Sequence, residues 1–217
     1  MQKSSRQNLS GELAEAIRVM ISEGQLAADA RINEVRLAEE LGVSRTPLRE
    51  ALATLVAEGA LESRPRRGVF VRPLTRADFM ALYAVRPLLD VGALRLAGLP
   101  SRRVLDRLRS LNERMHSTDN ALKRIKLDDE WHVLLVQACD NCVLIDLIRQ
   151  FMLRTRRYEL AYLGDVTHVQ TAVDEHLEIL TALENRDLEA ACRSLDKNLR
   201  SGIAPILSWL DQRESHL

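Results

Sequence analysis

Four side chains in the C-terminal half of the chain have the types and the spacing of ligands for a divalent metal ion. Asp128 and His132 are four residues apart, so they share one face of the segment if it is helical. His176 and Asn198 occur in two later helical segments. A carboxylate, two imidazoles and an amide oxygen that converge inside a helical bundle can bind such an ion. Two plainer interpretations stay open: hydrogen-bonded histidines in an apolar core, or a surface contact between Asp128 and His132.

A second group of polar and basic side chains has the layout for reading the edges of DNA bases. The run LAEELGVSRTPLR, residues 37–49, combines a short apolar helix, a glycine suited to a sharp turn and the start of a second helix. Its serine is a good N-cap for that second helix. An arginine can bind the O6 and N7 atoms of guanine in the major groove, and a threonine can reach a base edge or a phosphate. The segment therefore predicts a helix-turn-helix, whose candidate DNA contacts are Ser44, Arg45, Thr46 and Arg49.

An arginine-rich loop follows this helix-turn-helix. Residues 60–63 and 69–71 have the pattern of two short strands, and the run RPRRG between them has the composition of a hairpin tip. Basic side chains on such a tip suit a wing that lies along a phosphate backbone or in the minor groove. A solvated charged loop is the alternative, and the position directly after a helix-turn-helix favours the wing. Its candidate DNA contacts are Arg66, Arg67 and Gly68.

Helices have to position all of these side chains, because helical periodicity runs through almost the whole chain. The pattern predicts a mainly α fold, with an N-terminal winged helix-turn-helix over residues 1–72 and an all-α bundle of about six helices over residues 73–217. Pro73 and Thr75 mark the linker, since proline stops the wing strand and threonine can cap a helix. The predicted helices are 9–23, 34–41, 44–58, 76–97, 101–115, 120–139, 143–163, 168–184 and 187–210.

The charge composition limits the kind of nucleic-acid binding that the chain can perform. Its 217 residues include 31 Lys and Arg against 31 Asp and Glu, a formal net charge of zero. The first 72 residues hold 11 basic and 10 acidic side chains, so the basic character is local to a few arginines. A focused basic patch fits the reading of a DNA site. It argues against a protein that coats DNA without sequence choice.

The apolar stretches and the cysteine count indicate the cellular compartment of the protein. No stretch approaches the roughly 20 apolar residues of a membrane span, and no signal peptide precedes the first helix. Three cysteines, an odd number, argue against a disulfide framework. We therefore expect a cytoplasmic protein without a membrane partner. Cys139 and Cys142 form an isolated C-x-x-C motif. Its simplest interpretation is that both cysteines are small apolar side chains buried in the core.

Residues about 9–71 resemble the winged-helix domain of the GntR family of bacterial transcription regulators. The resemblance is carried by the run ISEGQLAADARINEVRLAEELGVSRTPLREALATLVAEGALESRPRRGVFV, which begins at Ile21. It implies that the candidates named above in the second helix and in the wing contact a double-stranded DNA operator. The chain departs from some relatives at position 35, where Val35 stands in place of an arginine, with Arg36 beside it.

Residues about 76–210 resemble the ligand-binding domain of the FadR branch of that family, in the subgroup that carries a metal. Three runs carry this resemblance: DDEWH at 128–132, EHLEIL at 175–180 and DLEAA at 187–191. It implies a zinc or nickel ion held by Asp128, His132 and His176. At the fourth ligand position the subgroup has a third histidine, whereas this chain has Asn198, whose neutral oxygen is a weaker ligand.

The same resemblance implies contacts to a small effector molecule. Arg86 matches an arginine on the first long helix of the branch and can pair with a carboxylate of the effector. Its other interpretation is a salt bridge that pins two helices together. Asn141 lies where the branch has an asparagine, and we interpret it as a helix cap first and an effector contact second.

These features predict a homodimeric transcriptional regulator, acting as a repressor, whose operator binding is controlled by a small metabolite. The metabolite, an organic acid, would bind near the metal in the C-terminal domain. The alternative function is a metal-dependent hydrolase with a vestigial DNA-binding head. Glu130 and Glu175 are the nearest candidates in sequence for its general base, although solvated side chains explain both equally well.

Overall fold

The computed structural model describes residues 2–22, 24–162 and 167–214. The chain divides into two compact units, Met1–Leu74 and Thr75–Leu217. The boundary between them lies within the linker predicted from Pro73 and Thr75. Helices dominate both units, which confirms the predicted mainly α fold.

The N-terminal unit consists of three helices and a two-stranded hairpin. The helices are α1 (Gln2–Ser22), α2 (Glu34–Glu40) and α3 (Arg45–Ala57), and the antiparallel strands are β1 (Leu61–Arg64) and β2 (Gly68–Val71). The apolar faces of these elements form one core, which is built from Leu13, Ala14, Ile17, Leu37, Ala38, Leu48, Ala51, Leu52, Leu55, Leu61 and Val71. The unit has the element order and the hairpin of the predicted winged helix-turn-helix.

The turn between α2 and α3 determines where the second helix begins. Gly42 has a φ of +65°, the left-handed conformation that a sharp turn requires. Ser44 occupies the N-cap position of α3, as predicted, but its side chain makes no capping hydrogen bond. By contrast, the Asn33 side chain at the start of α2 accepts hydrogen bonds from the backbone N–H groups of Val35 and Arg36. The first turn of α3 is therefore not closed by its own cap, and its residues Arg45 and Thr46 are exposed.

The described part of the C-terminal unit is a bundle of seven helices. These are α4 (Arg76–Ala97), α5 (Arg102–His116), α6 (Ala121–Leu135), α7 (Cys142–Ala161), α8 (Thr167–Glu184), α9 (Leu188–Ser201) and α10 (Ile203–Glu214). The predicted helices over 76–184 are confirmed with small shifts at their ends, except that α6 stops at Leu135 instead of residue 139. The predicted helix ends at residues 23 and 163 lie outside the described residues.

One predicted element is wrong. The single helix expected over 187–210 is two helices, α9 and α10, which are separated at Gly202. Pro205 explains the break, because it has no N–H to donate to the carbonyl of Ser201 one turn earlier. In the first turn of α10 the same proline costs no hydrogen bond. The bundle therefore has one helix more than predicted.

The interpretation of the C-x-x-C pair is also partly wrong. All three cysteines are free thiols. Cys139 is buried, as expected, but Cys142 is exposed at the start of α7. The short segment between α6 and α7 changes the direction of the chain, so the two thiols do not share one environment.

One of the candidate metal ligands packs against the apolar core of the bundle. Trp131 of α6 is completely buried. Its ring stacks on the imidazole of His176, with ring centroids 3.7 Å apart and ring planes 2° apart. One of the predicted metal ligands thus lies against the largest side chain of the core.

Candidate functional sites

Three of the four predicted metal ligands come together in the bundle. Asp128 and His132 lie one turn apart on α6, and His176 comes from α8. Nε2 of His176 is 3.5 Å from Oδ1 of Asp128, and Nε2 of His132 is 3.8 Å from Oδ2 of the same carboxylate. One possible ligand atom from each residue lies within 4.8 Å of the others. The four-residue spacing aligns the first two, and the folding of α8 into the bundle adds the third.

Burial determines the protonation states in this cluster. His132 and His176 are 3% and 0% exposed. Burial lowers the pKa of His176 to about 3. Burial, with further contributions from His176 and the charge of Arg86, lowers the pKa of His132 well below its usual value. The Asp128 carboxyl has its pKa raised to about 8 by burial, and nearby carboxylates add to the shift. Both imidazoles are therefore neutral near pH 7, which is the form of histidine that binds metal ions.

The donor atoms and their spacing fit a divalent cation. Ligand atoms about 2.0–2.2 Å from a tetrahedral ion lie roughly 3.3–3.6 Å from one another, and the two Nε2–carboxylate separations are close to this range. Nε2 of His176 is also buried without a hydrogen-bond partner among the described residues. A buried, unpartnered nitrogen is uncommon in folded proteins and calls for an explanation such as a bound ion.

Asn198, the fourth predicted ligand, lines a cavity beside this cluster from α9. Its Nδ2 donates a hydrogen bond to Oε2 of Glu175 over 3.0 Å, and the Ser201 hydroxyl donates to the same oxygen over 2.8 Å. Because Glu175 occupies the amide nitrogen, the amide oxygen is the atom left for a cation or a ligand. Glu175 is buried, so the interpretation of this residue as a solvated side chain is wrong. The reason is that α8 and α9 pack against each other along this face.

The cavity itself has a volume of about 240 Å³. Its polar wall contains Asp128, His132 and Asn198, together with Arg86 of α4 and Glu159 of α7. The volume is below the roughly 300–1,000 Å³ of sites for drug-sized ligands, so the cavity suits a small metabolite. Apolar side chains complete the lining, among them Met115, Ile125, Leu199, Pro205 and Ile206.

Arg86 brings a buried positive charge to this cavity. Its Nη1 donates a hydrogen bond to the Thr155 hydroxyl over 3.3 Å and lies 3.8 Å from Oε1 of Glu159. Its Nε and Nη2 are buried without hydrogen-bond partners among the described residues. Burial opposes the charge, but attraction to Asp90 and Glu159 outweighs it and raises the pKa of Arg86 above its usual value. Arg86 thus has the first role considered from the sequence, since it pins α4 to α7. Its pairing with a carboxylate of the effector stays a prediction, for which two of its nitrogens have no partner among the described residues.

Two other sequence candidates are not brought to this cavity. Asn141 is exposed at the N-cap of α7, where its Oδ1 accepts a hydrogen bond from the backbone N–H of Leu144. Its capping role is therefore present, and Asn141 is not among the residues that line the cavity. Glu130 is exposed on α6 and does not line the cavity either.

In the metal-free protein, His176 should make the free energy of unfolding depend on pH. Its pKa is about 3 in the folded protein against a usual value of 6.5, so the unfolded chain takes up this proton first as the pH falls. The stabilisation is therefore fully present above about pH 6.5 and is lost towards about pH 3, at roughly 1.4 kcal/mol per pH unit. The free energy of unfolding of His176→Gln can be measured with a denaturant at several pH values, with a chelator present. Its slope against pH should be shallower than that of the wild-type protein by roughly 1.4 kcal/mol per pH unit between about pH 6 and pH 4.

A surface histidine provides the control for this measurement. His116 is exposed on α5, so its imidazole meets water in both the folded and the unfolded chain. His116→Gln should therefore keep the wild-type slope. Equal slopes for His176→Gln and the wild-type protein would show that His176 is not a buried neutral imidazole.

The candidates for reading DNA bases lie on the exposed first turns of α3. Ser44, Arg45, Thr46 and Arg49 are all exposed. Both arginines face Glu34 at the start of α2: Nε of Arg49 donates a hydrogen bond to Oε2 of Glu34 over 2.7 Å, and Nη2 of Arg45 lies 3.7 Å from the same oxygen. Sequence reasoning missed Glu34, because its contact with the arginines depends on the angle between α2 and α3.

The predicted wing is present as the hairpin of β1 and β2. Arg66 and Arg67 are exposed at its tip, and Arg66 has a φ of +61°. Gly68 has a φ of +101°, and a Cβ at this position would lie 3.2 Å from Nε of Arg31. Glycine adopts this backbone conformation without the strain that a Cβ would add. Arg31 is exposed beside the wing and is a basic side chain that sequence reasoning missed.

Arg64 belongs to the wing in sequence but is occupied within the domain. It forms ion pairs with Asp29 and Glu62. Its guanidinium also lies over the ring of Phe70, 4.2 Å from the ring centroid. The contact with Phe70 joins β1 to β2. Arg64 is thus engaged within the domain, whereas the two arginines at the tip are exposed.

The fold and the sites define the class of this protein. A winged helix-turn-helix with exposed basic side chains, followed by a helical unit with a polar cavity, is the construction of a DNA-binding transcription regulator. Residues 9–71 match the family described as bacterial regulatory proteins, gntR family, and residues 81–201 match the FCD domain. The chain belongs to the GntR family of transcription regulators and carries an FCD effector-binding domain.

Individual relatives agree with this assignment. The Nta operon transcriptional regulator of Aminobacter aminovorans is 38% identical over 162 residues, which are 72% of this chain and 74% of the relative. The HTH-type transcriptional repressor RspR of Escherichia coli strain K12 is 26% identical over 181 residues, or 81% of this chain and 78% of the relative. Among solved structures, E. coli McbR/YncC has a TM-score of 0.73 at 24% identity and covers 93% of this chain and 98% of that chain. This last likeness supports the fold alone.

The comparisons also bear on the alternatives considered from the sequence. The family and these relatives are transcription regulators, so the chain is not an enzyme and the hydrolase alternative is not favoured. Within the described residues, no helix has both the length and the apolar character needed to cross a bilayer.

Proposed function

We propose that this protein is a homodimeric repressor whose affinity for its operator is controlled by a small organic acid. The observation that carries the proposal is the polar wall of the C-terminal cavity. There Arg86, two of whose nitrogens have no partner among the described residues, lines the same space as Asp128 and His132 of the candidate metal cluster. A guanidinium and a cation site on one wall are complementary to a carboxylate.

The proposed metal is a divalent ion, zinc or nickel, held by Asp128, His132 and His176. The amide oxygen of Asn198 is the proposed fourth donor. When bound, such an ion supplies a Lewis acid that accepts a carboxylate or hydroxyl oxygen of the effector. Two neutral imidazoles beside the half-buried carboxyl group of Asp128 support this assignment, and that carboxyl group would have to release its proton when the ion binds.

The proposed DNA contacts come from the N-terminal unit. The first turns of α3 would enter the major groove, where Arg45, Thr46 and Arg49 reach base edges and Ser44 a phosphate. The wing tip at Arg66–Gly68 would follow the backbone or the minor groove. DNA would have to displace Glu34 from Arg45 and Arg49 before either arginine could bind a base or a phosphate.

Exposed apolar side chains support the proposed dimer. Leu88 of α4 is 68% exposed and Val143 of α7 is 66% exposed. Met80 on α4 and Leu147 on α7 are exposed as well, and the two helices pack against each other. In the proposed dimer a second copy of the chain would cover these exposed apolar side chains. The relative RspR is named a repressor, which supports repression as the effect on transcription.

Control by the effector requires a difference in affinity. The organic acid has to bind the operator-bound and the operator-free arrangements of the dimer with different affinities, since equal affinities would shift nothing. Operator DNA then changes the affinity for the acid by the same factor. This reciprocity can be measured directly once the operator and the acid have been found.

Arg49→Ala should weaken binding to the operator by about 1–3 kcal/mol, or about 5- to 150-fold, if Arg49 binds a guanine. The loss on random duplex DNA should be much smaller, because a lost base contact removes sequence discrimination. Fluorescence anisotropy with both duplexes at one salt concentration measures the two losses. Arg103→Ala, at an exposed arginine of α5, is the control and should change neither. Equal losses on the operator and on random DNA would mean that Arg49 contacts only phosphate.

The whole proposal can be tested in two stages. Selection from a random pool of duplexes with the purified protein should yield a short symmetric sequence, as two copies of α3 require. A thermal-shift screen of small organic acids, with and without a chelator, should then find an acid that raises the melting temperature more when metal is present. That acid should also change operator affinity. No enriched sequence, or an acid that stabilises the protein without any effect on DNA binding, would contradict the proposal.

A further inference from the structure

We infer that Asn112 sets the tautomer of His176 and thereby prepares this histidine to bind the metal ion. The inference extends the metal site of the proposed function. Asn112 lies on α5, is 2% exposed and does not belong to the ligand cluster. Its Oδ1 is 3.2 Å from Nδ1 of His176, and both side chains are buried. A buried amide next to a buried imidazole has few ways to satisfy its hydrogen bonds, so its orientation is informative.

The orientation of the Asn112 amide follows from its second contact. Its Nδ2 donates a hydrogen bond to the backbone carbonyl of Val173 over 3.1 Å. A carbonyl can only accept, so the nitrogen of the amide must face Val173. Turning the amide over would place two acceptor oxygens against each other in a buried site, at a cost of about 1–3 kcal/mol. The amide oxygen therefore faces His176.

This orientation determines which nitrogen of His176 carries the proton. An amide oxygen also only accepts, so Nδ1 of His176 must be the donor. In the neutral ring the other nitrogen, Nε2, then has a lone pair and no hydrogen. Nε2 lies 3.5 Å from Oδ1 of Asp128 and has no hydrogen-bond partner among the described residues. The lone pair is thus held beside the carboxylate with which it would share a cation.

The opposite tautomer would remove the site. With its hydrogen on Nε2, His176 would present a hydrogen instead of a lone pair to the cation, so this nitrogen could not be a ligand. Stacking on Trp131 holds the plane of the imidazole ring but does not distinguish its two nitrogens. Asn112 is the neighbour that makes this distinction. Such hydrogen-bond partners of ligating histidines fix the tautomer, and their loss typically costs about 10- to 100-fold in metal affinity.

Asn112→Leu tests the inference, because leucine has a similar size but no hydrogen-bonding group. The tautomer of His176 can be measured by ¹⁵N NMR of the metal-free, ¹⁵N-histidine-labelled full-length protein, with His176→Gln identifying the signal. The wild-type protein should show hydrogen on Nδ1, and Asn112→Leu should shift the population towards Nε2–H. Competition with a chromophoric chelator should show that Zn²⁺ and Ni²⁺ bind to Asn112→Leu about 10- to 100-fold more weakly.

Two further variants separate this role from simple destabilisation. Asn112→Asp keeps an oxygen that accepts from Nδ1, so it should retain the Nδ1–H tautomer even though its second oxygen meets the Val173 carbonyl and should lower the melting temperature. Leu105→Ala removes a buried side chain two turns earlier on α5. It should lower the melting temperature while leaving the tautomer and the metal affinity unchanged.

The tautomer measurement tests the role of Asn112, whereas the metal affinity of the wild-type protein tests the metal site. An Asn112→Leu protein that keeps hydrogen on Nδ1 would overturn the inference. A tautomer shift in a protein whose wild-type form binds neither Zn²⁺ nor Ni²⁺ would support the control of His176 by Asn112 and would overturn the metal site of the proposed function.

Discussion

His132→Ala should bind Zn²⁺ or Ni²⁺ more than about 100-fold more weakly than the wild-type protein. Removing only a hydrogen-bond partner of a ligand already lowers metal affinity by about 10- to 100-fold, and His132 is itself a proposed ligand. His132 is buried, neutral and one helical turn from Asp128. Its loss leaves one imidazole, one carboxylate and the proposed amide oxygen of Asn198, which is one protein donor short of a tetrahedral site. Elemental analysis after gel filtration, together with chelator competition, measures the remaining affinity.

The controls for this variant use both units of the protein. His116→Ala removes an exposed imidazole of α5 and should keep the full metal content. Operator binding by effector-free His132→Ala should stay close to that of the wild-type protein, since the proposed contacts to DNA come from α3 and the wing. A wild-type protein that carries no zinc or nickel after incubation with either ion would contradict the metal assignment.

Arg86→Met should weaken binding of the organic acid by about 2–5 kcal/mol, or about 30- to 5,000-fold. The acid would then lose the charged partner of its carboxylate in a buried cavity, where water cannot replace the lost hydrogen bonds. Asp90 and Glu159 also lose the positive charge beside them, so this variant should be less stable as well. Isothermal titration with the acid found by the thermal-shift screen measures the affinity.

Arg86→Lys distinguishes the loss of binding from the loss of stability. Lysine keeps a positive charge near Asp90 and Glu159 but lacks the planar fork that binds a carboxylate in two hydrogen bonds. Its affinity for the acid should lie between those of Arg86→Met and the wild-type protein, while its melting temperature stays closer to wild type. Arg102→Lys, at an exposed position of α5, is the matched control. An unchanged affinity in Arg86→Lys and Arg86→Met would exclude Arg86 from the effector site.

The features that were predictable from the sequence depend on contacts between residues close together in the chain. The apolar spacing of α2 and α3, the glycine with a positive φ at position 42 and the wing hairpin are each encoded within a few residues. The same holds for the Asp128–His132 pair, which one helical turn aligns. The break between α9 and α10 was also marked locally by Pro205, but the helical periodicity on both sides of it concealed the interruption.

The contacts that give these residues their chemistry were decided by the tertiary structure. Glu34 faces Arg49 because α2 crosses α3, Glu175 is buried because α9 covers it, and Asn112 meets His176 because α5 packs on α8. Helical periodicity and capping signals specify which segments are helices, and so the sequence alone determined the class of fold and most candidate ligands. Burial, pKa and hydrogen-bond partners depend on side chains from distant segments, and only the packing of the helices determines which of them meet.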